Sequence, residues 1–199
     1  CSNGSYIRAK DTDEIIFKSV LDKEALEEIY KLIKKHNFLA YFDTPYGIIS
    51  DTKIPDDDSH RKMNEWVTED EKIKFYEVDD FKEAFSKYGS DILKLIIIET
   101  KNSTKIEDAK EDIEKLKDYV DIVYSWSGCA EFMAKGTSKG NAVKMLAKKF
   151  GIKKDEIMCI GDSRNDLSMF YEAGTTVVMG NAPDDIKEYA DYVTESNEN

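Results

Sequence analysis

Two carboxylates four residues apart follow directly on a short apolar run late in the chain. The run is Ile157-Met158-Cys159-Ile160, and Asp162 and Asp166 come just after it. A short apolar run between polar residues is typical of a buried strand, and the residues after it have the pattern of a helix beginning at the strand's carboxyl end. Ligands of open α/β sheets bind at that edge, so this feature predicts an α/β fold with a site there.

Both carboxylates are expected to point into one crevice. Asp162 leaves the tip of the strand, and Asp166 lies in the first helical turn, where side chains four residues apart share a face. Two such anionic groups repel each other unless a cation or a proton lies between them, and Mg²⁺ with phosphate is the common solution. The pattern alone leaves a second interpretation open, in which Asp162 or Ser163 caps the helix and Asp166 favours its N-terminus without any ligand.

The last third of the chain alternates between helical and strand patterns. In order, the predicted elements are a helix from Ser138 to Gly151, the strand at 157–160, a helix ending at Gly174, a strand at 175–179, a helix beginning near Pro183 and a strand at 192–194. Such alternation is typical of a parallel sheet with crossover helices, which gathers the carboxyl ends of the strands at one edge.

Several short motifs in this region occur in the order found in a known family. They are Lys139-Gly140, Gly161-Asp162-Ser163-x-Asn165-Asp166, Ala173-Gly174 and Met179-Gly180-Asn181-Ala182. Together they resemble the haloacid dehalogenase superfamily, specifically its Cof-type phosphatases. The resemblance is close over residues 138 to 197. It extends more loosely to Ser2-Asn3-Gly4, because an Asn-Gly at this point of the family precedes a large inserted cap domain.

The resemblance implies a phosphatase that transfers a phosphoryl group to an aspartate and then hydrolyses it with Mg²⁺. By that analogy Lys139 neutralises the phosphoryl oxygens and the attacking carboxylate. Asp162 binds the metal, Asp166 supports it, and Asn165 lies near the phosphate. The implied substrate is a small phosphorylated metabolite such as a sugar phosphate. A lysine and a carboxylate-held Mg²⁺ supply the positioning and charge neutralisation that phosphoryl transfer requires.

One part of the family pattern is missing. The family's nucleophile lies in an Asp-x-Asp-Gly-Thr segment at the end of the first core strand, and Asp11-Thr12-Asp13 has only the spacing, because no apolar run precedes it and no Gly-Thr follows. We interpret it as a hairpin turn, and Asp56-Asp57-Asp58 as a solvated acidic loop. The chain is therefore expected to lack an N-terminal core segment and to be inactive alone. A non-catalytic module that binds phosphorylated metabolites is the alternative.

The middle of the chain repeats a unit of helix and paired strands. A helix capped by Asp22 precedes strand patterns at 38–42 and 48–49, and a helix over 106–116 precedes strand patterns at 120–124 and 130–133. Between the two units, a helix at 81–88 precedes the apolar strand pattern at 92–98. Such units predict an α+β layer with helices on one face of a sheet.

The predicted fold class is therefore α/β, with a partial Rossmann-like core built on a parallel sheet and an inserted α+β cap domain. The core is assigned to residues 1–19 and 129–199 and the cap to residues 20–128, with Gly128 and Gly136 in the second connection. The free face of the cap sheet is expected to roof the crevice near Asp162. The candidate substrate contacts in the cap are Tyr46, Trp66 and Trp126.

Charge and cysteine content limit the partners. The chain has 41 acidic against 29 basic residues and a net charge of −12, and no basic stripe is present, so a nucleic acid partner is not expected. A metal and one lysine can still bind a phosphorylated small molecule. No apolar run is long enough to span a membrane. Cys1, Cys129 and Cys159 are too few and too scattered for a disulfide framework or a zinc site, and a reduced cytoplasmic setting is predicted.

Overall fold

The computed structural model describes residues 1–99 and 104–197, and the strands in these ranges form three sheets. The strands are β1 (Tyr6–Arg8), β2 (Ile15–Lys18), β3 (Leu39–Thr44), β4 (Gly47–Ser50), β5 (Phe75–Glu77), β6 (Lys94–Ile98), β7 (Val120–Trp126), β8 (Cys129–Ala134), β9 (Met158–Gly161), β10 (Thr175–Val178) and β11 (Tyr192–Val193). The helices are α1 (Lys23–His36), α2 (Ser59–Met63), α3 (Phe81–Tyr88), α4 (Lys105–Asp108), α5 (Lys110–Lys115), α6 (Lys139–Phe150), α7 (Leu167–Phe170) and α8 (Asp184–Lys187). The α/β prediction is confirmed.

The largest sheet has six strands in the order β5-β4-β3-β6-β8-β7, and its neighbours are antiparallel except for β4 and β5. Side chains alternate between the two faces of a strand, and Phe42, Leu95 and Phe132 share the face that packs against α1, α3, α4 and α5. This is the main hydrophobic core. The predicted layer of helices on one face of a sheet is present.

Two of the longer helices begin at the capping residues that the sequence predicts, whereas α7 ends at Phe170 and not at Gly174. The Asp22 carboxylate accepts a hydrogen bond from Ala25 N at 2.8 Å and caps α1. The Ser138 hydroxyl accepts from Asn141 N at 3.0 Å and caps α6, which ends at Gly151 as predicted. The helix predicted over 106–116 is instead divided into α4 and α5, because Ala109 leaves the helical conformation with φ −91° and ψ 1°.

The opposite face of the large sheet carries a buried group of charged side chains. Lys94 Nζ lies 2.8 Å from Glu131 Oε2 and 3.5 Å from Asp43 Oδ2. Burial disfavours the charge on Lys94, but the two carboxylates outweigh it, so the pKa of Lys94 lies above its ordinary value. For the same reason, with Lys94 as the main partner, the pKa of Glu131 lies below its ordinary value despite burial. The sequence alone does not indicate this cluster.

The small sheet is parallel throughout, in the order β11-β10-β9, which confirms the predicted parallel strands. One of its faces packs against α7 and α8 through Phe170 and Ile186. On the other face Met158 and Ile160 are 62% and 52% exposed. Within the ranges that the structure describes, β9 has a neighbouring strand on one side only.

The large sheet continues past residue 128, where the sequence predicts a domain boundary. β8 is hydrogen-bonded to both β6 and β7, and Gly128 lies in the turn between β7 and β8. Residues 129–134, assigned to the core from the sequence, therefore belong to the large sheet, and the second connection is confined to the residues between Ala134 and α6. The division into two domains itself stays a prediction.

The two acidic segments have different structures. β1 and β2 form an antiparallel hairpin around Asp11-Thr12-Asp13, which confirms the turn interpretation. The solvated-loop interpretation is wrong for Asp58, whose side chain is 9% exposed, because it caps α2 through His60 N at 2.9 Å and accepts from Tyr41 Oη at 3.0 Å. Asp56 and Asp57 are exposed.

Cys1, Cys129 and Cys159 are all free thiols, and the last two are buried. In the described ranges, none of the helices combines the length and the apolar character needed to cross a membrane. The cytoplasmic setting stays a prediction.

Candidate active site

The residues predicted for the site come from three segments near the carboxyl end of β9. Lys139 is the first residue of α6, Asp162 follows β9 directly, and Asn165 and Asp166 lie in the 3₁₀ turn Arg164–Asp166 that leads into α7. The structure brings the side chains of Lys139, Asn165 and Asp166 into direct contact. Asp162 is linked to them through its main chain.

An ion pair between a buried aspartate and a partly exposed lysine forms the centre of the site. Lys139 Nζ lies 2.5 Å from Asp166 Oδ1 and 3.2 Å from Asn165 Oδ1. The other oxygen of Asp166 accepts from the main-chain N–H groups of Asp162 and Ser163 at 3.0 and 3.1 Å. Asp166 is only 4% exposed, so its charge depends on these partners. Its carboxylate therefore fixes the Lys139 ammonium and the turn after β9 together.

Two glycines of the motifs allow these close contacts. A Cβ atom at Gly161 would lie 2.6 Å from the Asp166 carboxylate, and one at Gly140 would lie 2.1 Å from the Ser168 carbonyl oxygen. Any side chain at Gly161 would displace Asp166. A side chain at Gly140 would push the start of α6 away from α7. Lys139, the first residue of α6, would then move away from Asp166.

Asn181 orients the second carboxylate of the site. Asp162 Oδ2 accepts a hydrogen bond from Asn181 Nδ2 at 2.9 Å, and Asn181 lies in the loop after β10. The other carboxylate oxygen of Asp162, Oδ1, has no hydrogen-bond partner among residues 1–99 and 104–197. Asn181 belongs to the motif Met179-Gly180-Asn181-Ala182. The motif therefore marks this residue in the sequence, but it does not indicate that Asn181 contacts Asp162.

A pocket of about 110 Å³ opens beside Lys139. Its polar lining includes Asn3, Asn165 and Arg164, and Val123 and Met133 line it from the large sheet. The helix-free face of that sheet therefore lies beside Lys139 and Asn165, whereas Asp162 is not among the residues that line the pocket, so the predicted roof over Asp162 stays a prediction. A larger groove of about 740 Å³ lies between α1 and α3 on the opposite side of the sheet and includes none of the predicted site residues.

Asn3 joins the start of the chain to the site. Its Nδ2 atom donates to Glu131 Oε2 at 2.8 Å, and its Oδ1 atom accepts from Asn165 Nδ2 at 3.4 Å. Asn3 has a left-handed backbone conformation, with φ +53°, which asparagine adopts more readily than most residues. The sequence placed Asn3 in a motif but gave no reason to expect it beside Asn165.

The aromatic candidates of the cap do not line this pocket. Tyr46, Trp66 and Trp126 are all exposed, and Trp66 is 86% exposed in the long connection between β4 and β5. Their role as substrate contacts stays a prediction. The pocket beside Lys139 is lined instead by residues that include Val123, Met133 and Arg164.

The carboxylates of the site are chemically suited to Mg²⁺. In the part of the chain that the structure describes, no three His, Cys, Asp or Glu side chains converge as a metal cage. Mg²⁺ needs no such cage, because it commonly takes one or two protein carboxylates and completes its shell with water and substrate phosphate. Asp166 is already engaged by Lys139 and by main-chain N–H groups. If Mg²⁺ is bound, Asp162 would therefore be the more available of the two carboxylates as a direct ligand.

Comparison with known proteins gives the same family over the whole chain. The profile of the haloacid dehalogenase-like hydrolases matches residues 1–199. The crystal structure of TM0651 from Thermotoga maritima is 28% identical, with a TM-score of 0.73, over 99% of this chain and 70% of that one. BT4131, described as a subclass IIB sugar phosphatase, is 25% identical, with a TM-score of 0.71, over 97% of this chain and 68% of that one.

A curated relative shares a shorter stretch. The 5-amino-6-(5-phospho-D-ribitylamino)uracil phosphatase YwtE of Bacillus subtilis is 38% identical over 112 residues, which are 55% of this chain and 38% of that protein. The chain thus spans well under half of this relative's length. Because the family profile matches from end to end, the chain belongs to the haloacid dehalogenase-like hydrolase family, and it is similar to Cof-type phosphatases of that family.

Proposed function

We propose that this chain supplies most of a Mg²⁺-dependent phosphatase site for small phosphorylated metabolites such as sugar phosphates, and that the nucleophilic aspartate comes from outside the chain. The observation that carries the proposal is the Lys139 ammonium, held beside a pocket by Asp166 and Asn165. Membership of the hydrolase family and the likeness to a sugar phosphatase support it.

Lys139 is the group proposed to bind the phosphoryl oxygens. An ammonium has three N–H donors, and two of those of Lys139 are directed to Asp166 and Asn165. The third is left for an oxygen of the phosphate. Because Lys139 is 32% exposed at the side chain, it can reach a ligand while Asp166 stays buried. Fixed positive charge of this kind stabilises a phosphoryl transition state without reorganisation during the reaction.

Asp162 is the residue proposed to hold Mg²⁺, with Asp166 supporting it through the main chain of Asp162. When bound, Mg²⁺ would neutralise charge on the phosphoryl oxygens. Asn181 contributes by fixing one oxygen of Asp162, which limits the directions in which the carboxylate can turn. Arg164, at the pocket and ion-paired to Asp185 at 2.7 Å, is a candidate contact for the leaving group.

The open side of β9 supports delivery of a nucleophile from another segment. Both faces of a parallel sheet are normally covered, yet Met158 and Ile160 are exposed and β9 lacks a second neighbour in the described ranges. A further parallel strand at this edge would end beside Asp162. An aspartate there would attack the phosphorus atom and release the alcohol. Water would then cleave the aspartyl-phosphate, which regenerates the carboxylate and releases orthophosphate.

The alternative is a module that binds phosphorylated metabolites without turnover. One observation favours it for the chain by itself: Asp11 and Asp13, which have the spacing of the family's nucleophile motif, lie exposed in the turn between β1 and β2. Neither of them lines the pocket beside Lys139. Binding of phosphate by this chain and hydrolysis by a longer protein are both consistent with the proposal.

The proposal is tested by comparing this chain with a version extended to include the sequence encoded upstream. Each is assayed with a chromogenic phosphate ester in Mg²⁺ and then in EDTA. We expect turnover only from the extended protein and only with Mg²⁺. Orthophosphate binding to the 199-residue chain is measured in parallel by isothermal titration calorimetry.

The matched variants are Lys139→Ala and Lys144→Ala, two lysines of the same helix. Lys144 is 69% exposed at the side chain and makes only a 3.9 Å contact with Glu172, so its loss should leave both activity and phosphate affinity unchanged. Lys139→Ala should lower the rate of the extended protein by at least about 100-fold, in line with the loss of an electrostatic contact at a transition state. Equal rates for the two variants, or no metal-dependent turnover in an extended protein that carries the Asp-x-Asp segment, would refute the phosphatase proposal.

A further inference from the structure

A continuous line of polar contacts joins the large sheet to the candidate active site. Glu131 Oε2 accepts from Lys94 Nζ and from Asn3 Nδ2, each at 2.8 Å. Asn3 Oδ1 accepts from Asn165 Nδ2 at 3.4 Å, the longest of these contacts, and Asn165 Oδ1 accepts from Lys139 Nζ at 3.2 Å. We call these contacts the amide relay, because two asparagine amides connect a carboxylate at one end to an ammonium at the other.

The carboxylate end of the relay is costly to bury. Glu131 is 7% exposed and Lys94 is 9% exposed. A buried ion pair is seldom more stable than well-packed apolar side chains of similar size, since both charges must leave water. Glu131 is fully paired, because Ser125 Oγ also donates to its Oε1 atom. A well-packed apolar residue could therefore stabilise the fold as well as the charged Glu131 does. What the Glu131 carboxylate adds is the orientation of the groups that donate to it.

The chemistry of the two ends gives the relay a single direction. An ionised carboxylate only accepts hydrogen bonds and an ammonium only donates them, whereas an amide does both. Glu131 therefore requires the NH₂ group of Asn3, which leaves the Asn3 oxygen for Asn165. The Asn165 NH₂ group then faces Asn3, and its oxygen faces Lys139. At the opposite end, Lys139 Nζ and the Ser163 hydroxyl both donate to the Asn165 oxygen, at 3.2 and 2.6 Å, and select the same orientation of Asn165.

We propose that Glu131 is a positioning residue of the site, which acts through Asn3 to fix the amide of Asn165 and with it the ammonium of Lys139. The inference rests on the proposed function, in which Lys139 binds the phosphoryl group. Its consequence is specific: with Asn165 and Asp166 each occupying one N–H group, the remaining N–H group of Lys139 has a defined direction. Because Glu131 lies in β8, the large sheet contributes to the geometry of the phosphate site without touching the phosphate.

Glu131→Gln is the variant that tests the relay. Glutamine has nearly the same shape but no charge. Because the Lys94 ammonium requires an acceptor, the glutamine oxygen stays toward Lys94 and Asn3, and the hydrogen bond that holds the Asn3 amide becomes weaker. Asp58→Asn is the matched control, because Asp58 is another hydrogen-bonded carboxylate with a largely buried side chain but has no contact with the relay. Both variants lose a buried charge, and only Glu131→Gln should affect Lys139.

The first readout does not depend on phosphate. In NMR spectra of the 199-residue chain, the ammonium of Lys139 should exchange its protons with water about 10-fold faster in Glu131→Gln than in the unaltered chain, and the side-chain amide signals of Asn165 should shift. Asp58→Asn should leave both unchanged. Unaltered Lys139 and Asn165 signals in Glu131→Gln would overturn the inference, whatever the protein binds.

The second readout is the dissociation constant for orthophosphate, measured by calorimetry in Mg²⁺. We expect Glu131→Gln to weaken binding about 10-fold and Asp58→Asn to leave it within twofold. If the unaltered chain binds no orthophosphate, the proposed phosphate site is refuted, while the NMR result still decides whether the relay exists. If the NMR signals change but the dissociation constant does not, Glu131 orients Lys139 without any effect on the site, and the positioning role is refuted.

Discussion

The Asp166 carboxylate binds Lys139 Nζ at 2.5 Å through one oxygen and two main-chain N–H groups of the turn after β9 through the other. One buried side chain therefore joins α6 to the end of the parallel sheet. It fixes the ammonium that the proposed function assigns to the phosphate. The stability of the fold and the proposed binding of phosphate depend on the same contact, so both should decrease when that contact is removed.

Replacing Asp166 by alanine should be strongly destabilising. The change leaves Lys139 and the N–H groups of Asp162 and Ser163 without their acceptor, and loss of one partner of a buried ion pair costs about 3–5 kcal/mol. Because Lys139 is partly exposed, we expect the lower end of that range. Urea unfolding followed by circular dichroism gives the free energy of unfolding. Asp184→Ala, at a fully exposed side chain, is the control and should change it by less than about 0.5 kcal/mol.

Gly161→Ala should disturb the same contact by crowding. The added Cβ would lie 2.6 Å from the Asp166 carboxylate, so the turn or the carboxylate must move. Overpacking of this kind costs about 1–3 kcal/mol. Gly89→Ala is the control, since no atom lies within 4 Å of a Cβ there and its backbone is in the ordinary helical region. Equal unfolding free energies for the two variants would show that the site tolerates a side chain at 161.

The fold of the last third of the chain was predictable because its signals are local. The apolar run before Gly161 and the helical spacing after Ser138 each lie within a few residues of the element they specify, and β9 and α6 are present accordingly. The boundary at 128 was not predictable in this way. β8 joins the large sheet by pairing with β6, a strand some thirty residues earlier, and sequence periodicity carries no information about which strands pair.

The site was predictable only where a motif holds the residues together. Asn165 and Asp166 are neighbours in sequence, and Lys139 was assigned by resemblance. Asn3 and Glu131 are 128 residues apart, and their hydrogen bond depends on how the chain returns to the large sheet. Their types are ordinary for a surface, and only the folded structure shows that both are buried. Burial of polar side chains is thus the property that the sequence did not reveal.

Tyr41→Phe should loosen the connection between β4 and β5. The Tyr41 hydroxyl donates to Asp58 Oδ2 at 3.0 Å, and Tyr41 is 1% exposed, so the variant removes a buried donor and leaves Asp58 with one partner fewer. We expect a loss of about 1–3 kcal/mol in the free energy of unfolding. Limited proteolysis should then cut between β4 and β5 sooner. Tyr46→Phe, at an exposed tyrosine of the neighbouring turn, should change neither measurement, and a similar effect of both variants would argue against the role of this hydrogen bond.

Alkaline pH should destabilise the fold through Cys129. Burial, and to a lesser degree the charge of Glu131, raises the pKa of this thiol to about 12, whereas in the unfolded chain it titrates near its ordinary value. Between those two values the unfolded state has lost the proton and the folded state keeps it, so the free energy of unfolding falls as pH rises. Below the unfolded pKa the thiol is protonated in both states and has no effect on the pH dependence.

Cys129→Ala is the variant that isolates this effect. Urea unfolding at pH 7, 9 and 10.5 should show a smaller loss of stability with pH in Cys129→Ala than in the unaltered chain, although the variant is less stable at pH 7 because a buried side chain is truncated. Thiol titration at pH 8 should find Cys1, which is exposed, reacting first. Parallel pH profiles for the two proteins, or rapid labelling of Cys129 in the folded chain, would contradict the burial of this thiol.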